Sequence, residues 1–143
     1  MRLIIVDTNI LFSALRSPNA KIRETLDRND LHFYMPNFLI VEIFRHKEMI
    51  LQKTSADPEE AYEFLNKITQ KITFVNEGNI SLGSLIQAYR LCQDIDEKDT
   101  PFIALTLELE GEFWTKDEVL RRGLQKKGVL SFFDEKEGEI LYV

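Results

Sequence analysis

The chain has 143 residues, of which 44% are hydrophobic and 29% are charged, and its formal net charge is −6 at pH 7. This length and composition are typical of one globular domain over residues 1–143, and they exclude a disordered chain or a membrane protein. The acidic balance lacks the basic surface that most nucleic-acid-binding proteins use to replace counterions. Bound divalent ions would offset part of that charge, so a phosphate-bearing ligand is not excluded.

The N-terminus and the single cysteine favour a cytoplasmic location. Residues 1–6 begin like a signal peptide, but the polar residues 7–9 interrupt the apolar segment and no small-residue cleavage site follows. Cys92 lies in an apolar helical pattern and cannot form an internal disulfide, which agrees with a reducing compartment. We therefore expect a cytoplasmic protein with no membrane association.

The first 35 residues predict a strand, two helices and a second strand. The apolar run at residues 3–6 fits a central parallel strand buried on both faces, and Asn9 can cap the helix that follows. A break at residues 18–20 precedes a second helix over 21–28, which residues 29–30 end. Residues 31–35 are predicted as the second strand.

Residues 38–70 predict a helical hairpin inserted after the second strand. Pro36 suits the first turn of its first helix, and Asp57-Pro58 provides a capping acid followed by a proline at the start of its second helix. Residues 71–75 return to the alternation typical of a strand. We expect this hairpin to form a clamp or a dimer interface.

The C-terminal half continues the alternation of helices and strands. Helices are predicted over 81–93 and 101–109, with Gly111 placed to end the latter, and a short helix over 118–123. Strands are predicted at 112–115 and 129–132, with a terminal one at 140–143. This order predicts an α/β fold, specifically a three-layer α/β/α sandwich with a mostly parallel central sheet.

Four acidic residues fall where such a sheet binds ligands, near the carboxyl ends of its strands. Asp7 directly follows the first strand, and Asp117 stands two residues beyond Thr115 at the end of the fourth. Glu42 lies in an apolar helix with its face turned toward the sheet, and Asp99 lies at a helix start. Carboxylate oxygens are the ligands that Mg²⁺ and Mn²⁺ prefer, so the four together indicate a divalent-metal site.

Two of these acids have competing structural explanations of a local kind. Aspartate is common at strand-to-helix turns, which is enough to account for Asp7. Glu42 can pair with Arg45 or His46 one turn away on its helix, although a half-buried acid on an apolar face also needs a partner that a metal would supply. Both explanations stay open for these two residues.

The acidic loop before residue 101 is open to a similar choice. Either Asp99 or Thr100 can cap the helix that begins there, and capping is the commoner use of an aspartate at such a position. Asp96 either reaches the same site or belongs to a solvated cluster with Asp94 and Glu97. One metal site explains the four main acids together, whereas the structural explanations require four unrelated causes.

The chemistry of such a site is phosphodiester hydrolysis. One bound ion lowers the pKa of a water to make the attacking hydroxide, and a second ion about 4 Å away stabilises the leaving oxygen. Zinc is disfavoured because the chain has only His32 and His46 and no cysteine pair. A receiver domain or a haloacid-dehalogenase-like phosphatase would need a second acid beside Asp7, and Asn9 occupies the phosphatase position.

The order and context of these motifs resemble the PIN-domain nucleases over nearly the whole chain. The matching segments are Asp7-Thr8-Asn9, Val41-Glu42-Ile43, residues 96–109 and Trp114-Thr115-Lys116-Asp117. The resemblance implies that the metal ligands and catalytic acids, for one or two Mg²⁺ or Mn²⁺ ions, are Asp7, Glu42, Asp99 and Asp117, with Asp96 as a fifth acid. It also implies supporting roles for Thr8, Asn9 and Thr115.

The same resemblance implies an RNA substrate and frequent homodimers. Many short members of the family are toxins of VapC-like toxin–antitoxin pairs, held inactive by a small antitoxin protein. We therefore predict a metal-dependent endoribonuclease. The alternative is a PIN-like module that binds RNA or a protein without cutting, since an acidic cluster alone does not prove turnover. The presence of all four acids favours the enzyme.

Overall fold

The computed structural model describes residues 2–16, 20–53 and 57–136, and these contain one five-stranded sheet and seven α-helices. The strands are β1 (Arg2–Val6), β2 (Leu31–Pro36), β3 (Ile72–Val75), β4 (Glu112–Trp114) and β5 (Ser131–Phe132). The helices are α1 (Thr8–Arg16), α2 (Ala20–Leu26), α3 (Leu39–Lys53), α4 (Pro58–Lys71), α5 (Leu82–Cys92), α6 (Thr100–Leu109) and α7 (Glu118–Lys127). The terminal strand predicted at 140–143 lies outside the described residues.

All five strands are parallel and lie in the order β3-β2-β1-β4-β5. Helix α6 packs on β1, β2 and β4 with α5 outside it, while α1 contacts α2, α3 and α4. The prediction of a three-layer α/β/α sandwich with a mostly parallel sheet is confirmed. Strand order reverses between β1 and β4, and ligands of open α/β sheets bind outside the carboxyl ends of the strands at such a point.

The core is built around the central strands and a group of aromatic rings. Ile4, Ile5 and Val6 of β1 are fully buried, as the uninterrupted apolar run predicts. Trp114 at the end of β4 is also fully buried, and its ring packs against that of Phe133 in a T-shaped arrangement with the two ring centroids 5.2 Å apart. Truncating so large a buried ring typically costs about 3–5 kcal/mol. Trp114 therefore belongs to the core, as its position in an apolar strand indicates.

The predicted hairpin after β2 is formed by α3 and α4. Asp57 caps α4 as the sequence predicts, because its Oδ1 accepts a hydrogen bond from the Glu59 amide at 3.4 Å and Pro58 begins the helix. The two helices are joined by the Tyr62 hydroxyl, which donates to Glu48 Oε1 at 3.2 Å. Whether the hairpin forms a clamp or a dimer interface stays a prediction.

The start of α3 differs from the sequence-based expectation. Pro36 is the last residue of β2, where it pairs in register with Val75, and the helix begins at Leu39. Proline is tolerated there because the pairing of β2 with β1 ends at Tyr34, so no hydrogen bond is lost on that side. The Asn37 amide extends the pairing of β2 with β3 beyond Pro36, because it donates to the Val75 carbonyl oxygen at 2.7 Å.

Gly111 does not end α6 in the way the sequence suggests. The left-handed position after the helix is taken by Glu110, at φ 51°, whose amide bonds to the last turn. A Cβ at Gly111 would lie 2.7 Å from the Leu3 carbonyl oxygen and 2.6 Å from Ile5 Cδ1. Glycine is therefore required here by the close approach of β4 to β1.

Helix α7 is longer than the predicted segment 118–123. Gly123 lies inside it, where a Cβ would come within 2.6 Å of Ile95 Cδ1, and the helix ends at Gly128 with φ 67°. Gly123 thus allows close packing, and Gly128 provides the left-handed terminus. Within the described ranges, no helix combines the length and apolar character needed to cross a bilayer.

Candidate metal centre

Asp7 is held at the carboxyl end of β1, where β1 lies beside β4. Its amide donates to the Trp114 carbonyl oxygen at 2.9 Å, which extends the pairing of the two strands by one residue. The residue is only 6% exposed. A carboxylate at this depth requires polar partners, because burial without them costs several kcal/mol.

Those partners come from the segment that follows β4. The Thr115 hydroxyl donates to Asp7 Oδ2 at 2.6 Å, and Asn9 Nδ2 donates to the same oxygen at 3.1 Å. Asn9 Oδ1 in turn accepts from the Lys116 amide at 3.1 Å, which joins the first turn of α1 to the loop after β4. These contacts are consistent with the supporting positions predicted for Asn9 and Thr115.

The Thr115 hydroxyl is fully used in this arrangement. Besides donating to Asp7, it accepts from the Asp117 amide at 3.0 Å and from Asn9 Nδ2 at 3.4 Å. One donor and two acceptor positions are all that a hydroxyl offers. The backbone of Thr8 helps to lower the pKa of Asp7, and the supporting role of Thr8 stays a prediction.

Asp117 is exposed and lies at the start of α7. Its Oδ1 accepts from the Leu120 amide at 3.0 Å, so it caps the helix. This role does not conflict with metal binding, since a carboxylate has a second oxygen and several acceptor positions. The cap instead fixes the direction of the side chain, while the backbone amide of the same residue donates to the Thr115 hydroxyl.

Asp99 precedes α6, and its side chain makes no capping hydrogen bond. Thr100 does not replace it, because its hydroxyl donates to the Glu97 carbonyl oxygen at 2.6 Å. The capping explanation is therefore wrong for Asp99, whose partly buried carboxylate is left for another partner. Asp96 is exposed and its carboxylate accepts from the Lys98 amide at 3.1 Å, which orders the turn that leads to Asp99.

The negative charges of acids from three chain segments act on one another. Burial raises the pKa of Asp99 to about 7, and the negative charges of Asp7, Asp96 and Asp117 add to the shift. Burial also raises the pKa of Asp7, against the hydrogen bonds from Thr115 and the local amides. Four carboxylates at one sheet edge therefore repel one another, and a cation between them would lower their free energy.

Glu42 stands apart from this group. It lies in the first turn of α3, with His46 Nε2 3.2 Å and Arg45 Nη1 3.6 Å from its carboxylate oxygens. It is not among the charges that raise the pKa of Asp99. The local pairing considered from the sequence is thus present, and the predicted role of Glu42 as a ligand stays a prediction.

The donor set suits a hard divalent cation, although the side chains do not form a closed cage. Among residues 2–16, 20–53 and 57–136, no three or more histidine, cysteine or acidic side chains are grouped closely enough to hold a metal ion as they stand. The possible ligand atoms near Asp7 are oxygens of carboxylates, of the Asn9 amide and of the Thr115 hydroxyl, and oxygen ligands fit Mg²⁺ or Mn²⁺ better than zinc. Mutual repulsion of these carboxylates is a physical reason why they are not gathered more closely.

Sequence reasoning missed the segment that borders the centre beyond β5. The Trp114 indole donates to Glu135 Oε2 at 2.8 Å, and Phe133 is buried against Trp114. Glu135 and Thr115 line the same open groove, so this segment lies beside the candidate ligands. The pair of phenylalanines at 132–133 was the available signal, since buried rings fix the path of the chain after β5.

Comparison with known families identifies the same region of the chain. A family model described as PIN domain matches residues 5–132, a range that includes Asp7, Glu42, Asp96, Asp99 and Asp117. PIN domains are generally nucleases and typically use divalent metal ions. A search of curated proteins found no significant match.

Proposed function

Because the chain belongs to the PIN-domain family, we propose that it is an endoribonuclease that hydrolyses phosphodiester bonds with Mg²⁺ or Mn²⁺. The observation that carries this proposal is the group of mutually repelling carboxylates where strand order reverses, Asp7, Asp96, Asp99 and Asp117. Repulsion of this kind destabilises the folded protein, so its presence indicates a functional requirement. A site for a divalent cation and a phosphate is such a requirement.

The proposed ligands are Asp7, Asp99 and Asp117, with Asp96 and Glu42 completing the set. Asp7 is the most rigidly held, since Thr115 and Asn9 donate to its carboxylate. Asp99 supplies a carboxylate with no capping bond to break. A bound Mg²⁺ or Mn²⁺ supplies activation of water and stabilisation of charge at the phosphate.

The residues also set an order of binding. Without a cation, the acids present a negative edge that repels a phosphodiester, as the elevated pKa of Asp99 reflects. Ion binding reverses that local potential, so RNA binds productively only after the metal. This order accounts for a nuclease whose overall charge is −6.

The test is cleavage of a mixed RNA pool with Mg²⁺, with Mn²⁺ and with a chelator, by wild type and Asp7→Asn. The matched control is Asp30→Asn, an exposed acid that precedes β2 and therefore lies at the opposite edge of the sheet. We expect metal-dependent cleavage that Asp7→Asn lowers by roughly 1,000-fold, as expected for losing several kcal/mol of charge stabilisation. Asp30→Asn should cleave like wild type.

Two results would reject this function. Cleavage that persists in Asp7→Asn would belong to a contaminant or to another site. Binding of RNA or a protein without cleavage in either metal would favour the non-cleaving PIN-like module. Thermal unfolding with and without Mn²⁺ reports metal binding independently of cleavage. If Mn²⁺ binds at Asp7, it should raise the melting temperature of wild type but not that of Asp7→Asn.

The proposal extends to a homodimeric toxin of a toxin–antitoxin pair. Val41, Met49 and Tyr62 expose large apolar surface on the α3–α4 hairpin, which supports a protein contact there. Light scattering should give twice the chain mass. Expression should arrest cell growth, Asp7→Asn should not, and co-expression of a small antitoxin should restore growth. A monomer without effect on growth would reject this extension while leaving the nuclease intact.

A further inference from the structure

An open groove continues from the candidate metal centre along α7. Its first part, of about 240 Å³, begins at Thr115 and is lined by Lys116, Glu118, Arg121, Asp134, Glu135 and Lys136. Its second part, of about 300 Å³, shares three of these residues and adds Arg122, Gln125 and Phe132. Because Thr115 also bonds to Asp7, the groove starts at the edge of the metal centre.

The groove carries more positive than negative charge, in a chain whose overall charge is −6. Its cations are Lys116, Arg121, Arg122 and Lys136, against the acids Glu118, Asp134 and Glu135. Glu118 Oε1 is paired with Arg121, and Glu118 Oε2 lies 3.9 Å from Arg122 Nε. Glu135 accepts the Trp114 indole N–H. Asp134 Oδ1 accepts from the Lys136 amide at 2.9 Å, so all three acids are already engaged in contacts.

Two lysines of the groove, Lys116 and Lys136, are the candidates to bind an anion. Among the described residues, no carboxylate lies within ion-pairing distance of the side chains of Lys116 or Lys136. The two arginines are anchored by Glu118, and a guanidinium retains further N–H donors for a phosphate after one ion pair. The arrangement offers several cationic positions along one direction, leading away from Thr115.

We propose that this groove binds the sugar–phosphate backbone of a single-stranded nucleic acid next to the bond that is cut. The inference rests on the proposed nuclease function, and it assigns the path of the strand, which runs from the metal centre along α7. Both parts of the groove are open to solvent, so a strand can enter them from the side. Phosphate contacts position a strand without reading its sequence, so the groove should confer affinity and little base preference.

The test measures binding of labelled 12-nucleotide RNA and DNA strands by fluorescence anisotropy over a range of salt. All variants carry Asp7→Asn to prevent cleavage, and Arg122→Glu and Lys136→Glu each reverse one groove charge. The control is Lys126→Glu, which makes the same change at an exposed position of α7 outside the groove lining. Arg122→Gln, which removes the charge without reversing it, guards against a folding defect.

We expect each groove variant to weaken binding about tenfold and to reduce the salt slope by about one contact, roughly 0.7 for a single strand. Lys126→Glu should stay within twofold of its parent. Equal effects at Lys126 and Arg122, or no effect at Arg122 and Lys136, would overturn the groove. Tighter binding to a duplex of the same sequence would reject a single strand as the ligand. Comparing the affinities for RNA and DNA shows whether the groove prefers ribose or deoxyribose.

Cleavage assays without Asp7→Asn separate this inference from the nuclease itself. Arg122→Glu should raise the KM for the 12-mer about tenfold, whereas Lys126→Glu, which lies outside the groove, should cleave the 12-mer like wild type. Cleavage that depends on Asp7 but not on the groove rejects only the groove. Binding that depends on the groove without any cleavage rejects only the nuclease.

Discussion

Two sides of the candidate metal centre are held in place by different means. Asp7, on the β1–β4 side, is fixed by a 2.6 Å hydrogen bond from Thr115 and by a second one from Asn9. Asp99, on the α6 side, makes no capping bond, and burial beside other acids raises its pKa to about 7. The first side is organised before an ion binds, whereas the second carries much of the electrostatic cost that an ion would relieve.

Of the changes at Asp99, Thr115 and Glu42, the largest effect on function is expected from Asp99→Asn, which removes that cost together with a proposed ligand. Without metal, we expect the variant to be more stable than wild type by about 1–2 kcal/mol, because a repelled charge is gone. Cleavage should fall by at least about 100-fold, since charge stabilisation at the phosphate is lost. Thermal unfolding in chelator, followed by Mn²⁺ titration, measures both stability and metal binding.

A matched acid distinguishes this effect from a general gain on losing negative charge. Asp94 is exposed and pairs with Lys127 at 2.5 Å, and this pair holds the pKa of Asp94 below its usual value. Asp94→Asn should therefore give no stabilisation. A lower melting temperature for metal-free Asp99→Asn would show that the α6 side is not under electrostatic strain.

A smaller effect is expected from Thr115→Val on the organised side. Valine keeps the shape of the side chain but removes the hydroxyl that joins Asp7 to the Asp117 amide. Metal affinity should fall about 10–100-fold, as for other residues that orient a ligand. The free energy of unfolding should fall by about 1–3 kcal/mol, because a buried carboxylate loses a partner.

Thr115→Ser provides the control for this change. Serine restores a hydroxyl at the same position, so both metal affinity and stability should return toward the wild-type values. Isothermal titration with Mn²⁺ and urea unfolding give the two quantities. If Thr115→Val bound Mn²⁺ as tightly as wild type, the hydroxyl would have a structural role without orienting a ligand.

The smallest effect is expected from Glu42→Gln, which tests whether the site extends to α3. Its ion pairs with Arg45 and His46 are at the surface of α3, so the free energy of unfolding should change by less than about 1 kcal/mol. As a ligand, Glu42 should contribute about tenfold to Mn²⁺ affinity. Arg45→Gln, which removes one of the two partners of this carboxylate, should not weaken binding. Unchanged affinity in Glu42→Gln would leave Glu42 with its helical pairing alone.

Local patterns were enough to predict most of the fold. The uninterrupted run at residues 3–6 identified the buried strand β1, and Asp57-Pro58 located the start of α4. Pro36 was assigned to the wrong element because its place in β2 depends on pairing with Val75, which is distant in sequence. Gly111 was placed at a helix end because the close approach of Leu3 also cannot be inferred from neighbouring residues.

The acids of the site were predictable in part for the same reason. Chain order and strand ends placed Asp7 and Asp117 at one edge of the sheet, where the structure has them. The absence of a capping bond at Asp99 depends on side-chain geometry that a helix-start pattern does not determine. The bond from Thr115 to Asp7 depends on the register that sets Val6 beside Trp114. Pairing between distant strands was therefore the missing information.

That register has a consequence for the chain as it is synthesised. Asp7 and the hydroxyl that fixes it are 108 positions apart, and β4 lies between β1 and β5 in the finished sheet. A nascent chain that ends before residue 115 contains Asp7, Glu42 and Asp99 but lacks the shorter of the two side-chain hydrogen bonds that orient Asp7. The centre is thus completed only after residue 115 has been synthesised, and a product that ends before it carries an incompletely organised site.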